Sequence, residues 1–532
     1  MLRRRYGQPD WPFVLHRNND IGLDWINACC CGTLMKNHPR LLVKALCAAG
    51  LLSTVVLTVA DANTLQLSQE GAGEVLIFPY YTTRNGTLSF MSLVNQTTSG
   101  KALRLRVRES FGGRSVAELN VFLSPKDVWT AAIVPSGEGA AIISNDKSCT
   151  FPAISGSASG LVFSNAAFIN DTPTNTPATL DRVREGYVEV IEMATIPAEN
   201  RLFLRDILHY AGVPACKLVA DGATVGIDPV ALGIPTAPSG GLVGSMSFIN
   251  VNDGLSVSYN ATGINGFWKT GPGAPVPTIA PVTGATPDLT SGANTTITVT
   301  DEGQTYVSTF ARSIDAVSAL FMASTINGEY GFTSDGVFSN ALVVTLPTKP
   351  YYVYSTILAP FQRAYSAETS QACDDISVFS VDREEFVVST GDDFPERPPK
   401  PPPLTWCSSA NVYGFYSQYD GTRTTPTAFD SPRLQAISAV QNQGSSAPLG
   451  KEGGHVQLAP TAPSAKLIPT STFVLSRSET SGALISTPVN YTYFGLPMIG
   501  FALSVGKYNT GSPQQNFGNL NPLTTQRSVT TP

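Results

Sequence analysis

The chain has 532 residues, and its 34 lysines and arginines against 40 aspartates and glutamates give a formal charge of −6. Only 14% of the residues are charged, so the composition excludes the strongly basic surface that nucleic-acid binding requires. The length suffices for about two or three domains, and 46 glycines with 39 prolines are typical of many short strands joined by turns.

A secretory signal follows a second candidate start at Met35. Residues 36–40 form a short basic segment, residues 45–59 are almost wholly apolar, and residues 60–62 (ADA) have the small-x-small pattern of a cleavage site. This is the order of segments in a signal peptide. The apolar run is shorter than the about 20 residues of a membrane helix, and no later stretch approaches that length, so no transmembrane segment is predicted in the mature chain.

Residues 35–62 are therefore predicted to be a signal peptide, which places the exported protein in the periplasm, on the outer surface or outside the cell. Residues 1–34 contain three adjacent cysteines and no hydrophobic periodicity. We interpret them as a spurious or disordered extension from a misplaced start codon, because a signal peptide normally lies at the N-terminus. A long n-region and a cysteine cluster for a metal or a lipid are the alternatives. Residues 1–62 hold seven bases and four acids, so the mature chain has 27 bases, 36 acids and a formal charge of −9.

Four cysteines remain in the mature chain: Cys149, Cys216, Cys373 and Cys407. An even number in an exported chain indicates two disulfides, with three possible connectivities. The pairs Cys149–Cys216 and Cys373–Cys407 are predicted, because partners that are near in sequence close within one domain. Free buried thiols are the alternative. The mature chain has no Cys-x-x-Cys, so redox catalysis and haem attachment lack support.

Residues 63–270 are predicted to form a β-rich domain. Leu103, Leu105 and Val107 alternate with three arginines, and such alternation indicates one buried and one solvent-exposed face. The pair Asn85 and Gly86 predicts the turn of a tight hairpin, because it supplies positive φ angles. Strand patterns recur at the spacing of an immunoglobulin-like sandwich. They lie at residues 74–81, 88–94, 103–108, 119–123, 128–134, 186–193, 243–251 and 255–259.

Residues 271–296 are rich in proline, glycine and threonine without periodicity, so they are predicted to be a linker or a long exposed loop. Residues 297–532 are predicted to form a second β-rich domain, which contains the proline-rich segment 395–403. Further strands are predicted at residues 341–346, 351–358 and 491–505, and residues 440–465 are low in order-forming residues.

Two short helices complete the prediction. The first covers residues 197–210, where Phe203, Ile207 and Tyr210 share one face, and the second covers residues 314–324. The predicted fold class is mainly β, with antiparallel immunoglobulin-like sandwich regions and a few short helices.

Four short blocks of the chain resemble a family of uncharacterised exported β-rich proteins of Gram-negative bacteria. They are GEVLIFPYY (73–81), LSPKDVWTA (123–131), VVTLPTK (343–349) and GLPMIGF (495–501). The blocks span nearly the whole mature chain, but none is a catalytic signature. The resemblance implies a bacterial source and export, and it supplies no activity, ligand or site residue.

No catalytic constellation is found, so no catalytic residue and no cofactor are predicted. The mature chain has only two histidines, His209 and His455, and it lacks the esterase elbow, the zincin motif, the Walker loop and the dinucleotide fingerprint. His209, beside a predicted helix end, fits a structural cation better than a catalytic base. Glu189 and Glu192 lie three apart on one predicted strand and therefore on opposite faces, which makes them a poor catalytic pair.

Clustered acids precede the proline-rich segment, at Asp374, Asp375 and Asp382 and beyond. Clustered carboxylate oxygens can bind calcium, but the spacing of a calcium loop is missing. We therefore favour solvated loop acids, and no metal ligand is predicted.

Arg104, Arg106 and Arg108 are the candidate binding residues, because they form a basic stripe on one face of a strand. One interpretation is a contact with an anionic glycan or lipopolysaccharide. The favoured interpretation is an exposed face that pairs across strands with acids such as Glu118. Trp129 and Trp268 fit core packing better than a sugar-binding platform.

The predicted function is that of an exported envelope or cell-surface protein with a binding or structural role. Its partner is unknown, with envelope glycans or surface proteins as the candidates, and nucleic acid is excluded. Whether it is an enzyme stays open, with a non-enzyme favoured. The alternative is a secreted carboxylate-dependent glycan hydrolase, which would need two carboxyl groups about 5–10 Å apart in a cleft.

Overall fold

The computed structural model describes residues 64–530 except for some internal segments. These are residues 172–178, 223–236, 272–273, 276–277, 332–336, 383–403, 418–422, 425–428, 430, 432–433, 440–452, 479, 509–514 and 528. The predicted extension 1–34, the signal peptide 35–62 and the proline-rich segment 395–403 lie outside the described residues. The described residues belong to one compact unit, and the fold is mainly β, as the sequence predicts.

Thirteen strands of the first half form two antiparallel sheets. The strands are β1 (Gln66–Leu67), β2 (Val75–Thr82), β3 (Thr87–Asn95), β4 (Gly100–Glu109), β5 (Ser115–Leu123), β6 (Val128–Ser136), β7 (Gly139–Ile143), β8 (Cys149–Phe151), β9 (Leu161–Val162), β10 (Glu185–Ile196), β11 (Leu242–Asn250), β12 (Leu255–Asn260) and β13 (Thr262–Asn265). A seven-stranded sheet has the order β1-β13-β2-β10-β4-β5-β8, and a six-stranded sheet has the order β12-β11-β3-β6-β7-β9.

The two sheets share one apolar core. Leu103, Leu105 and Val107 of β4 belong to the same buried cluster as Trp129 of β6 and Met246 of β11. These three residues occupy every second position of β4, so their side chains all point to the same side of the sheet. The opposite side of β4 is not solvent-exposed, however, because all ten residues of β4 and all twelve of β10 are buried. The predicted solvent-exposed face of this strand is therefore wrong, since a second layer covers it.

The predicted turn at Asn85 and Gly86 forms, but the predicted hairpin does not. Both residues have positive φ angles, of 50° and 71°, and they lie in a short 3-10 helix, Arg84–Gly86. The flanking strands belong to different sheets, because β2 pairs with β10 and β13 whereas β3 pairs with β6 and β11. All eight residues of β2 are buried, so the turn carries the chain from one layer to the other.

Four α-helices are described: α1 (Arg201–Ile207), α2 (Lys217–Gly222), α3 (Ser313–Phe321) and α4 (Pro350–Val353); a second 3-10 helix covers Leu180–Arg184. The helix predicted over 197–210 is shorter at both ends. It begins after Asn200, whose side chain accepts a hydrogen bond from the Phe203 amide, and such a cap satisfies a free backbone donor. The predicted strand 351–358 is wrong, because α4 begins there with a proline in its first turn.

Strands of the second half form smaller sheets. They are β14 (Thr296–Asp301), β15 (Gln304–Thr309), β16 (Met322–Ala323), β17 (Thr325–Gly331), β18 (Phe338–Thr345), β19 (Asp374–Asp382), β20 (Thr405–Trp406), β21 (Ala410–Ser417), β22 (Arg423–Thr424), β23 (Leu434–Ala439), β24 (Gly453–Pro460), β25 (Lys466–Leu467), β26 (Ser471–Arg477), β27 (Leu484–Pro488), β28 (Thr492–Phe494), β29 (Leu496–Pro497), β30 (Ile499–Tyr508), β31 (Gln515–Pro522), β32 (Thr524–Gln526) and β33 (Val529–Thr530).

The strand orders in this half are β14-β15-β26-β27, β20-β19-β24-β17-β32, β22-β21-β18-β30-β31, β16-β29 and β25-β28-β33. One pair is parallel, because β23 runs parallel to β21. The predicted lack of order over residues 440–465 is wrong where β24 lies, since its alternating Val456 and Leu458 are fully buried.

Both halves of the chain contribute to the same cores. Phe78 lies in one buried cluster with Val343 and Phe501, and Trp268 lies in another with Tyr352. The segment predicted as a linker, residues 271–296, therefore does not separate two cores in the described part of the chain. Within it, Ile279 and Ala280 are buried against helix α1 and the seven-stranded sheet.

The structure contains both cysteine pairs that the sequence predicts. The sulfur atoms lie 2.02 Å apart in Cys149–Cys216 and 2.05 Å apart in Cys373–Cys407. The first pair joins β8 to the segment between α1 and α2. The second joins the start of β19 to the end of β20.

Candidate functional site

The arginine stripe on β4 is buried rather than exposed. Arg104 and Arg106 are 0% and 3% exposed, and both contact Glu118 on the neighbouring strand β5, at nitrogen–oxygen distances of 2.6 and 3.0 Å. The predicted pairing with Glu118 is therefore confirmed, while the predicted exposure is wrong. The covering layer is the segment predicted to be a linker: Arg104 donates to the Pro281 carbonyl at 2.7 Å, and Arg106 to the Ala285 carbonyl at 2.7 Å.

Arg108 is bound to a different acid on the other neighbouring strand. Its Nε lies 2.8 Å from Oε1 of Glu189 on β10, and its two Nη atoms donate to the Gly113 carbonyl and the Tyr351 hydroxyl. Glu189 is 0% exposed, and no described residue other than Arg108 is placed to donate a hydrogen bond to it. Burial raises the pKa of Glu189, and Arg108 opposes that shift. This pair is an ion pair in a low-dielectric site, where the attraction between opposite charges is strong.

Glu192 forms a separate cluster at the end of the same strand. It lies 2.7 Å from Nζ of Lys101 and accepts from the Gly240 amide at 2.8 Å. Nearby Glu74 accepts from the Trp268 amide at 3.0 Å. Burial raises the pKa of Glu74 to about 7, and the charge of Glu192 adds to that shift. Glu189 and Glu192 are thus each bound to their own cation, and they do not form the free carboxylate pair that sugar hydrolysis needs.

A further buried arginine, Arg182, ties the strands to the loops beside them. The guanidinium of Arg182 lies 4.7 Å and 4.0 Å from the ring centroids of Phe111 and Phe168. Its nitrogens lie 3.2 Å from Glu109 and 3.1 Å from Asp171. Stacking on aromatic rings and pairing with two acids fix this side chain. It stabilises the fold and leaves no charge for a ligand.

The acids predicted as solvated loop residues or calcium ligands have other surroundings. Asp374 is buried and lies 2.9 Å from Nζ of Lys349, so a solvated position is wrong for this residue. Asp375 lies 3.1 Å from Arg363 at the surface. Among the described residues, no group of three acids, histidines or cysteines could hold a metal ion. The acids after Asp382 lie outside that range.

The histidines and tryptophans singled out from the sequence occupy structural positions. His209 lies past the end of α1, with Nδ1 3.8 Å from a carboxylate oxygen of Asp127. His455 is exposed on β24. Trp129 and Trp268 are 0% and 6% exposed, which agrees with core packing and not with a sugar platform.

The outer side of α1 presents a surface that the sequence does not predict. Leu202, Tyr210 and Val213 are 67%, 65% and 58% exposed, and Arg201 and Arg205 are exposed beside them. We call these five residues the α1 surface. All but Val213 line a surface groove of about 440 Å³, to which Ala198, Leu204 and Leu208 also contribute.

No family model and no curated protein matches the chain. The site is therefore described by its geometry alone. The buried charges are bound to one another, whereas the α1 surface is open to solvent.

Only one position of the sequence, Leu202, indicates the α1 surface. Phe203 and Ile207 are buried as predicted, but Tyr210 follows the end of the helix and is exposed. Leu202 is apolar although it lies off the face that the other two define. An apolar side chain outside the buried stripe of an amphipathic helix is the pattern that indicates a contact surface.

Proposed function

We propose that the mature protein is an exported envelope or cell-surface protein with a binding or structural role. The observation that carries the proposal is the pair of disulfides, Cys149–Cys216 and Cys373–Cys407. Disulfides persist in oxidising compartments outside the cytosol and are rare inside it. They therefore support the interpretation of residues 35–62 as a signal peptide.

None of the described helices is long and apolar enough to cross a membrane.

The buried charges support a role without catalysis. A catalytic acid or base needs access to a substrate, and a carboxylate that is bound to a cation in a sealed layer lacks that access. Glu189 and Glu192 are both fully buried, and their partners Arg108 and Lys101 are buried with them. These contacts hold strands together and are better suited to stability than to chemistry.

The test is expression of the full chain in a Gram-negative host, followed by cell fractionation and N-terminal sequencing. We expect the protein outside the cytosol, with an N-terminus near Asn63 and four cysteines that resist alkylation until they are reduced. The control variant Leu51→Arg/Leu52→Arg interrupts the apolar run and should stay in the cytosol with reactive thiols. A parent protein found in the cytosol, with Cys149, Cys216, Cys373 and Cys407 all reactive toward the alkylating agent, would overturn the proposal.

The purified protein should also be incubated with glycans of the bacterial envelope. We expect no release of reducing sugar above the rate of a boiled sample. Release that is lost in a Glu74→Gln variant with unchanged folding would instead favour the glycan hydrolase, because Glu74 is partly exposed whereas Glu189 and Glu192 are fully buried.

A further inference from the structure

We propose that the α1 surface docks on an anionic lipid bilayer, with its apolar side chains in the membrane interface and its two arginines on lipid headgroups. The inference adds a partner to the proposed envelope role and rests on it in that sense alone. Binding is measured with purified protein, so its result is independent of where the protein is found in the cell.

The apolar part of the surface is contiguous. Leu202 and Tyr210 line the same groove, and Tyr210 is joined to Val213 by backbone pairing across a tight turn. The turn, residues 210–213, contains no charged side chain. Single exposed apolar residues are ordinary, but a contiguous group beside polar residues marks an interaction site. A tyrosine ring is suited to the headgroup level of a bilayer, because it has an apolar body and a polar tip.

The charged part of the surface is basic within an acidic protein. Arg201 and Arg205 are exposed and lie one helical turn apart on α1, so their side chains are neighbours. Among the described residues, neither guanidinium has an ion-pair or hydrogen-bond partner. The acid that follows Arg205, Asp206, is buried and accepts from the Leu218 and Val219 amides at the start of α2.

The local balance of charge therefore favours anions. Glu199 is the exposed acid nearest in sequence to the arginines, while the predicted mature chain has a formal charge of −9. A cationic group of this kind complements the phosphates of acidic lipids. Long arginine side chains can keep their charge at the headgroups while neighbouring apolar side chains enter the interface.

The surface is held rigidly by the contacts beneath it. Phe203 and Ile207 on the inner side of α1 pack in a buried cluster with Phe122 and Met193 of the seven-stranded sheet. The disulfide Cys149–Cys216 anchors the segment that follows. A surface already fixed in its bound shape loses little conformational entropy on binding. The groove is open to solvent, and the exposed turn 210–213 begins at its edge, which fits a bilayer interface better than a peptide side chain that needs a closed pocket.

The experiment is co-sedimentation of the oxidised mature protein with vesicles. Neutral phosphatidylcholine vesicles are compared with vesicles that contain about one third phosphatidylglycerol. We expect binding to the anionic vesicles that weakens with salt, because headgroup attraction is screened. The double variant Arg201→Gln/Arg205→Gln should bind about thirtyfold more weakly, from about fivefold for each arginine. In the double variant Leu202→Ser/Tyr210→Ser, the affinity for anionic vesicles should fall by about tenfold or more.

Matched controls carry the same substitutions at exposed positions elsewhere. Arg363→Gln/Arg477→Gln removes two surface arginines, and Val251→Ser/Ile468→Ser removes two apolar side chains that are 77% and 65% exposed. Both controls should bind as the parent protein does, and thermal unfolding should show that all variants remain folded.

Three outcomes would overturn the inference. They are equal binding to neutral and anionic vesicles, an unchanged affinity in the Arg201→Gln/Arg205→Gln variant, and no vesicle binding by the folded parent protein. Recognition of an acidic protein in place of vesicles falls under the third outcome. Export that fails in the fractionation experiment leaves the vesicle result unaffected, so the two proposals fail separately.

Discussion

Replacement of Arg108 by methionine should strongly destabilise the protein through a residue on the neighbouring strand. The substitution removes the guanidinium whose Nε lies 2.8 Å from Glu189. The Glu189 carboxylate is 0% exposed, and no described group other than Arg108 is placed to donate a hydrogen bond to it. The variant therefore leaves a buried negative charge without its counterion.

The magnitude follows from the cost of an uncompensated buried charge. Breaking such a pair by removal of one partner costs about 3–5 kcal/mol. The Gly113 carbonyl and the Tyr351 hydroxyl also lose the donor that Arg108 supplies. Protonation of Glu189 relieves part of the loss, because burial already raises its pKa. We expect a loss of about 4 kcal/mol at neutral pH, which is a large fraction of the about 5–15 kcal/mol that stabilises a typical domain.

The double variant Arg108→Met/Glu189→Leu isolates the pair. It removes both charges, and a well-packed apolar pair in such a place is often neutral or stabilising. The double variant should therefore be more stable than Arg108→Met alone by about 2 kcal/mol or more. The loss in Arg108→Met should also shrink at acidic pH. Its Glu189 must take up a proton on folding, and proton uptake is favoured below the folded pKa and opposed as pH rises.

The measurement is the free energy of unfolding from denaturant titration, followed by tryptophan fluorescence. Trp129 and Trp406 are fully buried reporters. The control Arg205→Met removes an exposed arginine and should change the free energy by about 0.5 kcal/mol at most. The reasoning is refuted if Arg108→Met costs less than about 1 kcal/mol, or if the two single losses simply add in the double variant.

Three further predictions concern other contacts. The folded chain holds the proton of Glu74 more tightly than the unfolded chain, because burial raises its pKa from 4.5 to about 7. The free energy of unfolding should therefore fall as pH rises from 4.5 to about 7. In denaturant titrations, Glu74→Gln should weaken this dependence on pH and, above about pH 7, raise the free energy of unfolding by up to about 3 kcal/mol. Cys149→Ser/Cys216→Ser opens a loop of 67 residues and should lower the free energy of unfolding by about 4 kcal/mol relative to the disulfide-bonded parent. Equal free energies of unfolding for the variant and the disulfide-bonded parent would contradict this. Gly186→Ala would place a Cβ 1.9 Å from the Arg108 carbonyl oxygen and should cost about 3 kcal/mol or more, seen as a lower melting temperature.

The strands could be predicted because their signal is local. Leu103, Leu105 and Val107 show the two-residue period, and β4 forms where that period lies. The burial of the arginines between them could not be predicted, because it depends on the segment near Pro281, which lies far along the chain. A proline- and glycine-rich segment offers many free carbonyls, and a guanidinium has five donors to satisfy. The composition that predicts a linker is thus equally suited to a segment that covers buried arginines and accepts their hydrogen bonds.

The turn and the cysteines show the same limit. Asn85 and Gly86 predict a local backbone shape correctly, but which strands pair afterwards depends on the burial of β2 on both faces. The cysteine pairs could be predicted from the sequence, because the two partners of each pair are near each other along the chain. The α1 surface could not be predicted, because the helical period of apolar residues assigns Phe203 and Ile207 to the core and predicts no contact for Leu202.

The order of strands in the seven-stranded sheet has a consequence for how the chain would fold during the export that we propose. Strand β2 pairs only with β10 and β13 in the described sheet, and both follow it by more than a hundred positions. A chain that emerges with its N-terminus first therefore exposes β2, rich in valine, leucine and aromatic residues, long before its partners arrive. Folding that awaits such distant contacts is slow and open to aggregation. On the export route that we propose, a holding chaperone that binds the emerging N-terminal region until β10 has followed would protect this strand.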